Sequence, residues 1–464
     1  MKKLILAKRN FDAYRIRDPI HGFICISDLE IKVINTSLFQ RLRRIKQLAL
    51  ADLVYPGTGH SRFEHSLGVL NIASQIVEQM LKSKVIKKSD VQPIRLAALL
   101  HDLGHGPFSH ISEYLLEKHS DRSKIPSGSS IEEIHEDITI KLIQKSDELK
   151  KILGSNLIGE IINIIKGNDI RKDIISGPLD ADKLDYLMRD AHYAGVKYGW
   201  FDLSKILESM IPIEIPGSFP RLGIKEEGVH AVEQLVMAKH HMTVQVYRHR
   251  IRAITDSMII RGIDLAIENG DKEIEKIYKY DGSDKYLRNY IQWWDSKIMD
   301  HMLKCESRIA RKIFERLFKR KLLKQIHKKG INPREIEDSN LRNKFLNLKP
   351  EERLNFEKKI SKIGILNCDA DQVILNVVSI KNPTYRSPAG RISEDEIQVW
   401  SEKKRKPEHL KEIHWSVMHL AHVEDKQQYI EVYAPGEKWS GYSDSTKEKY
   451  LRRLNTSVEK ILYE

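Results

Sequence analysis

The chain has 464 residues, a formal net charge of +13 at pH 7 and 41% hydrophobic residues. That length suits about two to three domains with a sizeable core, and the charge favours polyanionic partners (nucleotides, nucleic acid or an acidic surface) without separating them. Cys25, Cys305 and Cys368 are too dispersed for a cysteine-based zinc site or a disulfide framework. The apolar start is too short for a signal peptide and no run reaches membrane-spanning length, so a cytoplasmic protein with no membrane partner is expected.

Most of the chain reads as helix. Phe39 to Leu48 is expected to be an amphipathic helix with Arg and Lys on its outer face. Val69, Leu70, Ile72, Ala73, Ile76, Val77, Met80 and Leu81 recur with helical spacing. A further helix is expected from Ser89 or Asp90, with Pro93 in its first turn and its end at Gly104. Residues 128–153 begin with small polar side chains and become helical, carrying His135 and Glu136. In the run 180–190, Asp182, Tyr186 and Asp190 fall at i, i+4 and i+8 on one helix face, flanked by Lys183. One long helix is expected over 229–268. Charge-rich helices follow over 271–329, including a basic amphipathic helix over 311–329. Beyond them come a strand at 373–380, a basic loop over 382–411, an ambiguous stretch at 414–422, a strand at 429–433 and a closing helix at 445–463.

The chemistry concentrates around the run Leu99 to His110. His101 and Asp102 follow an apolar helix, His65 lies upstream and Asp182 downstream. Together they make a four-ligand nitrogen and oxygen set, which suits Fe, Mn, Co, Ni or Zn more than Ca or Mg. His105 and His110 add two imidazoles beside it. A metal with spare histidines nearby is what hydrolysis of a phosphate ester needs. A solvated face is the competing reading of the Asp182 stripe, and a helix end with satisfied histidines is that of the His101 run.

Several segments extend this pattern: Asp18-Pro19-Ile20-His21-Gly22, Phe39 to Leu48, Pro56-Gly57, Arg62 to Val69, the His101 run, His135-Glu136, Asp182 to Tyr186 with Arg189-Asp190, and more loosely Tyr247-Arg248-His249. In order and spacing over residues 14–265 the chain resembles the HD-domain deoxynucleoside triphosphate triphosphohydrolases. That group includes bacterial dGTPases and the vertebrate enzyme that joins a SAM domain to an HD domain.

The resemblance implies a mainly α protein, with an HD-domain helical fold over residues 1–268 and a smaller α+β region over 269–464 concerned with assembly and open to a regulatory role. It implies a metal on His65, His101, Asp102 and Asp182, with Fe or Mn first and Mg at a second position. The activity implied is hydrolysis of a dNTP to a deoxynucleoside and inorganic triphosphate, by water attack at the α-phosphorus. Arg62 and Lys183 would clamp phosphates. His110, oriented by Glu113, would do acid–base work, and His105 and His135 would contact the α-phosphate or a second metal. Glu136 would support these residues from behind. Gln47 and Asp190 would read the 3′-hydroxyl, Leu48 and Tyr247 would crowd the 2′ position, and Tyr186 would pack on the sugar. A homo-oligomer, tetramer or dimer, is also implied.

Departures from the family pattern are specific. Lys239 stands near the place of a phosphate-binding Arg, and Thr243 replaces a His four residues before Tyr247. Asn35 and Tyr14 occupy the positions of the acidic and basic residues that read a guanine nucleotide activator, while Gln40 and Arg43 remain. A guanine-specific activator is therefore not expected, and another nucleotide activator, or none, stays open. The alternative function is an HD-domain phosphodiesterase or nuclease acting on cyclic dinucleotides or single-stranded nucleic acid, with the basic 311–329 segment and Lys403 to Lys406 as its polyanion contacts. The apolar stripe Ile313, Phe314, Leu317, Phe318, Leu322, Leu323 and Ile326 makes an ordinary amphipathic helix the better reading of the former, so nucleic acid is not favoured. A non-catalytic nucleotide sensor is the third reading.

Overall fold

The computed structural model describes residues 13–121, 123, 134–215, 217, 219–378, 397–414 and 428–463. It is mainly helical, with three small sheets among the described residues. A hairpin opens it, β1 (Tyr14–Asp18) against β2 (Gly22–Ile26). Asp18 Oδ1 closes the turn by accepting from the amides of Ile20 and His21.

Helix α1 (Asp28–Ile34) is capped by Ser27 and Glu30, and α2 (Ser37–Gln40) is capped by Thr36. The helix expected over 39–48 does not form. Helix α2 tightens into a 3-10 turn at Arg41–Arg44 that stops at an extended Ile45. The cause is tertiary pairing: Ile45 O accepts from Arg62 N, and Gln47 N donates to His60 O. Arg41 turns inward rather than outward, donating to His105 O and Trp293 O. Local propensity is overridden by these contacts.

Helix α3 (Arg62–Lys82) begins in a capping box of Ser61 and Glu64. Its expected apolar residues are buried, with Leu81 half-buried. Helix α4 (Val91–Leu100) ends before the expected Gly104, because residues 101–104 turn away. Next come α5 (His110–His119), α6 (Ile134–Lys145) and α7 (Asp147–Lys166), the last broken at Gly154. The start of the segment read as 128–153 lies outside the described residues. Helices α8 (Ile170–Ile175), α9 (Ala181–Ala194) and α10 (Leu203–Ser209) lead to strands β3 (Met210–Ile213) and β4 (Arg221–Lys225).

The single helix expected over 229–268 is two, α11 (Val229–Met242) and α12 (Arg250–Glu268), parted by a π turn at Thr243–Tyr247. Such turns recur at functional positions, and this one carries Tyr247. Helices α13 (Lys272–Tyr278), α14 (Asp284–Tyr290), α15 (Asp295–Met302) and α16 (Arg308–Phe318) follow. The basic helix expected over 311–329 stops at Phe318, and its second half is strand β5 (Lys324–Gly330), where Ile326 and His327 are buried. Helices α17 (Ser339–Leu346) and α18 (Pro350–Ser361) precede β6 (Ile374–Val378). The basic loop expected over 382–411 contains a hairpin, β7 (Gln398–Ser401) with β8 (Lys406–His409), and the short α19 (Leu410–Ile413). Strand β9 (Tyr429–Ala434) and helix α20 (Asp444–Tyr463) close the chain as expected.

The described residues form two compact units. Residues up to 247, with 276–296 and 397–414, make the first; residues 248–275, 297–378 and 428–463 make the second. In the first, α3 packs against α4 and α9, and a four-stranded sheet runs β3-β4-β7-β8 with β4 and β7 parallel. In the second, the antiparallel order is β5-β9-β6, and Phe345, Ile360, Val432, Leu454 and Val458 fill its core. No described helix is long and apolar enough to cross a membrane.

Two tight places in the first unit position the candidate site. Gly68 on α3 faces α9 so closely that a Cβ there would strike the side chains of Asp185 and Arg189. The turn before α5 places Phe108 (φ 63°) and Ser109 (φ 54°) in the left-handed region without glycine, a strain that surrounding bonds must hold. Phe108 N donates to Asp295 Oδ1 at 2.8 Å, and Ser109 Oγ donates to Lys46 O at 2.7 Å.

Gly68→Ala is expected to destabilise the fold by about 1–3 kcal/mol, read by denaturant melts, and an unchanged midpoint would contradict this packing. Burial raises the Asp295 carboxyl to about 6 against the backbone amides of Phe108 and Lys46 and the charges of Lys46 and Arg41. Its folded pKa lies above the ordinary 3.8, so its contribution is complete below about pH 4 and lost as pH rises through about 6, a swing of roughly 3 kcal/mol. The stability difference between the unaltered protein and Asp295→Asn should therefore change across pH 4–6 and level off above it; a flat difference would remove the assignment.

Candidate metal centre

Three helices converge on one polar cluster inside the first unit. His65 sits in the first turns of α3, His101 and Asp102 follow the end of α4, and Asp182 lies in the first turn of α9. Donor atoms of His65, His101 and Asp102 fall within 4.8 Å of one another. Asp182 Oδ1 lies 2.9 Å from His65 Nε2 and 4.0 Å from His101 Nε2. Asp102 Oδ1 is 3.2 Å from His101 Nε2, and its Oδ2 is 3.7 Å from His65 Nε2.

Both ligand nitrogens are aimed from behind. His65 Nδ1 meets Asp185 Oδ2 at 2.9 Å, and His101 Nδ1 meets Ala98 O at 2.8 Å. Each ring thereby turns Nε2 inward, the orientation that outer partners impose on a metal-binding histidine. Both Nε2 atoms are buried and make no well-formed hydrogen bond. His65 Nε2 is close enough to Asp182 for one, but not suitably directed. Orphaned nitrogens facing carboxylate oxygens at these spacings fit a divalent cation, since ligand atoms about 2.1 Å from a metal stand roughly 3–3.5 Å apart.

The electrostatics agree. Burial opposes charge on His65, yet Asp182, Asp185 and Asp102 prevail and push it up to about 10. Against the same burial, Arg62 and His101 hold the Asp102 carboxyl well below its ordinary range, and His65 lowers that of Asp182. Asp102 is buried and Asp182 partly so, and a bound cation would offset the charge they hold together.

Beside this cluster lies a second one. Glu113 Oε1 is 3.1 Å from His105 Nδ1, 3.1 Å from His110 Nδ1 and 3.8 Å from His135 Nδ1. His105 and His135 stack at 4.6 Å. Despite burial, His110 and His135 hold Glu113 well below the carboxylate range, while burial and then Arg62 lower His105 and favour its neutral form. His105 Nε2 reaches Asp102 Oδ1 at 3.1 Å, which joins the two clusters. Arg62 bonds Asp102 through Nη1 at 2.6 Å and Ser109 through Nε at 2.8 Å.

The remaining candidates divide. Asp190 is fully buried, its Oδ1 2.7 Å from His60 Nε2 and its Oδ2 accepting from Tyr247 at 2.8 Å. The backbone N–H of Gln47 donates to His60 O, and Asp190 links the His60 ring to Tyr247. Tyr186 lies edge-on to Tyr247 at 6.3 Å, and Leu48 is buried. Lys183 Nζ donates to Gly177 O and Asp180 Oδ2, both at 2.7 Å, on the capping side of its own helix. Lys239 is buried on α11. Glu136 is half-exposed beside Lys172.

Asp185, Arg189, His21 and His60 received no role from the sequence. Asp185 takes both Arg189 nitrogens at 2.8 and 2.9 Å and His21 Nε2 at 2.6 Å, and Arg189 in turn bonds Asp18 at 2.9 Å. The i,i+4 acid–base pair Asp185–Arg189 was the available signal, whereas nothing local marks His60.

Asp185→Asn is expected to weaken divalent-metal binding about 10–100-fold and Asp102→Ala to abolish it, as counted by plasma mass spectrometry after dialysis. Undiminished metal in both variants would dismiss this centre.

Comparison with known proteins agrees with this architecture. The HD domain model matches residues 62–192, and the HD associated region model matches residues 202–456. An uncharacterized protein of Methanocaldococcus jannaschii is 36% identical over 289 residues, covering 62% of this chain and 57% of that protein. The deoxynucleoside triphosphate triphosphohydrolase SAMHD1 of Bos taurus is 29% identical over 286 residues, covering 53% of this chain and 46% of that enzyme. The chain thus spans about half the length of these curated relatives. The crystal structure of a phosphohydrolase from Bacteroides thetaiotaomicron superposes with a TM-score of 0.68 at 24% identity, covering 91% of this chain and 99% of the other, a likeness of fold. With the second model matching more than half of its length, the chain belongs to the family defined by the HD associated region, here following an HD domain.

Proposed function

We propose that the protein is a metal-dependent phosphohydrolase that cleaves dNTPs to a deoxynucleoside and inorganic triphosphate. The observation that carries this reading is the abutment of two clusters, the inward-facing His65, His101, Asp102 and Asp182 beside His105, His110 and His135 on Glu113. The triphosphohydrolase name of the SAMHD1 relatives supports the substrate class. When bound, a divalent ion (Fe or Mn first, with Mg at a second position) would supply a lowered pKa for bound water and polarisation of a phosphate oxygen.

The chain's own residues do the rest. Arg62 is anchored through Nη1 and Nε, and its Nη2 is buried without a hydrogen bond. That nitrogen takes a phosphate oxygen and offsets its charge. Ionised Glu113 holds His110 by Nδ1, which leaves Nε2 to deliver a proton to the departing 5′-oxygen. Neutral His105, together with His135, steadies the α-phosphate, and Lys183 and Lys239 add positive charge on the phosphate side. Gln47 and Asp190 read the 3′-hydroxyl, with His60 and Tyr247 fixing the Asp190 carboxylate. Leu48 and Tyr247 exclude a ribose hydroxyl, and Tyr186 packs on the sugar.

Purified protein incubated with each dNTP and NTP, singly and mixed, with Mn²⁺ or Mg²⁺, should release deoxynucleoside and triphosphate, resolved by ion exchange. Turnover should vanish in Asp102→Ala and fall about 10²–10⁴-fold in His110→Ala with metal retained. Activity in mixtures alone would reveal a nucleotide activator. No turnover in any mixture, with metal bound, would refute the reading and turn attention to cyclic dinucleotides and single-stranded nucleic acid.

A further inference from the structure

A third group of metal-ligating side chains lies elsewhere in the first unit. His230 and Glu233 stand three residues apart on α11, hence on one face. His414, which ends the short α19 after the β7-β8 hairpin, meets them there. His230 Nδ1 is 3.4 Å from Glu233 Oε2, and His414 Nδ1 is 3.4 Å from Glu233 Oε1. The two imidazoles are nearly perpendicular with centroids 5.7 Å apart, and donor atoms of all three residues fall within 4.8 Å of one another.

A charged imidazole on a carboxylate closes to about 2.7–2.9 Å. The hydrogen bond of His230 to Glu233 Oε2 and the contact of His414 with Oε1, both 3.4 Å, are longer than that. Each is close to the spacing of about 3.3–3.5 Å between donors that stand 2.0–2.2 Å from a tetrahedral zinc, and with one donor from each residue inside 4.8 Å the three side chains can close on a single ion. The donor set also selects the ion, because two imidazoles and one carboxylate suit zinc and its neighbours over Mg or Ca. The three residues come from segments about 180 positions apart, so a metal here would cross-link α19 to α11.

We propose that His230, Glu233 and His414 form a second divalent-metal site, taking zinc with water in the fourth position, which fastens α19 and the β7-β8 hairpin to helix α11. The site shares no ligand with the candidate metal centre and does not rest on the phosphohydrolase reading. It borders a cleft of about 570 Å³ that Lys197, Tyr198, Trp200 and His241 also line. Lys239 lies further along the same helix, so the cross-link would also steady that candidate phosphate contact.

The test uses the full chain and zinc alone. Total bound zinc is counted at saturation by plasma mass spectrometry, and affinity is measured by competition with a chromophoric chelator. His230→Ala and His414→Ala should each bind one equivalent fewer than the unaltered protein. Each should also lose the part of the zinc-dependent rise in melting temperature due to this site. The His230 side chain is 85% exposed, so His230→Ala should retain the metal-free melting temperature, which separates lost binding from lost folding. Asp102→Ala should keep the equivalent that His230→Ala loses. Zinc counts and affinities in both histidine variants equal to those of the unaltered protein would overturn the proposal.

Discussion

The buried carboxylate of Asp185 is the constraint on which the centre of the first unit depends. It accepts from Arg189 through two nitrogens and meets His21 and His65 as well. Burial would push such a group toward its neutral form, but Arg189 first, then His21 and His65, hold it well below the carboxylate range. One side chain therefore ties α9 to α3 and to the opening hairpin, and it also turns His65 Nε2 inward. Removing it would leave the Arg189 charge buried with Asp18 as its remaining acidic partner among the described residues, the situation that makes broken buried ion pairs expensive.

The candidate centre is assembled at helix ends rather than along helices. His101 and Asp102 lie where α4 has just stopped, and His110 begins α5 after two strained residues. A turn there lets one residue serve both clusters: Asp102 Oδ1 lies beside both His101 and His105, and its Oδ2 faces His65. The strain of Phe108 and Ser109 is held by Asp295, Lys46 and Arg62, all distant in sequence. Gly104 fits the same picture, since a Cβ there would strike His135 O and Thr139 on α6. The close approach of α6 to this turn is also what brings His135 to Glu113.

Legibility followed periodicity. The apolar stripe of α3 and the helical spacing of Asp182, Tyr186 and Asp190 on α9 were readable because each lies within a single regular helix, whereas the burial of Tyr186 and Asp190 was not. Where one segment serves two environments, the reading failed. The stretch 39–48 looks amphipathic, yet its second half pairs with the residues before α3 and Arg41 points inward. The stretch 311–329 has one apolar stripe, but its halves belong to a helix and a strand, because β9 offers a pairing edge that no local pattern announces. The hairpin within 398–409 was hidden for the same reason: its partner β4 lies about 175 residues earlier.

By itself the sequence determined that the protein is mainly helical, where α3, α4 and α9 run, and which histidines and aspartates could gather near a cation, since helical spacing and ligand chemistry are local properties. Only the tertiary structure decided which outer residues aim them. Asp185 orients His65, His60 meets Asp190, and Lys183 bonds its own helix cap. Those choices depend on side chains meeting across helices, and sequence spacing carries no record of which faces will touch.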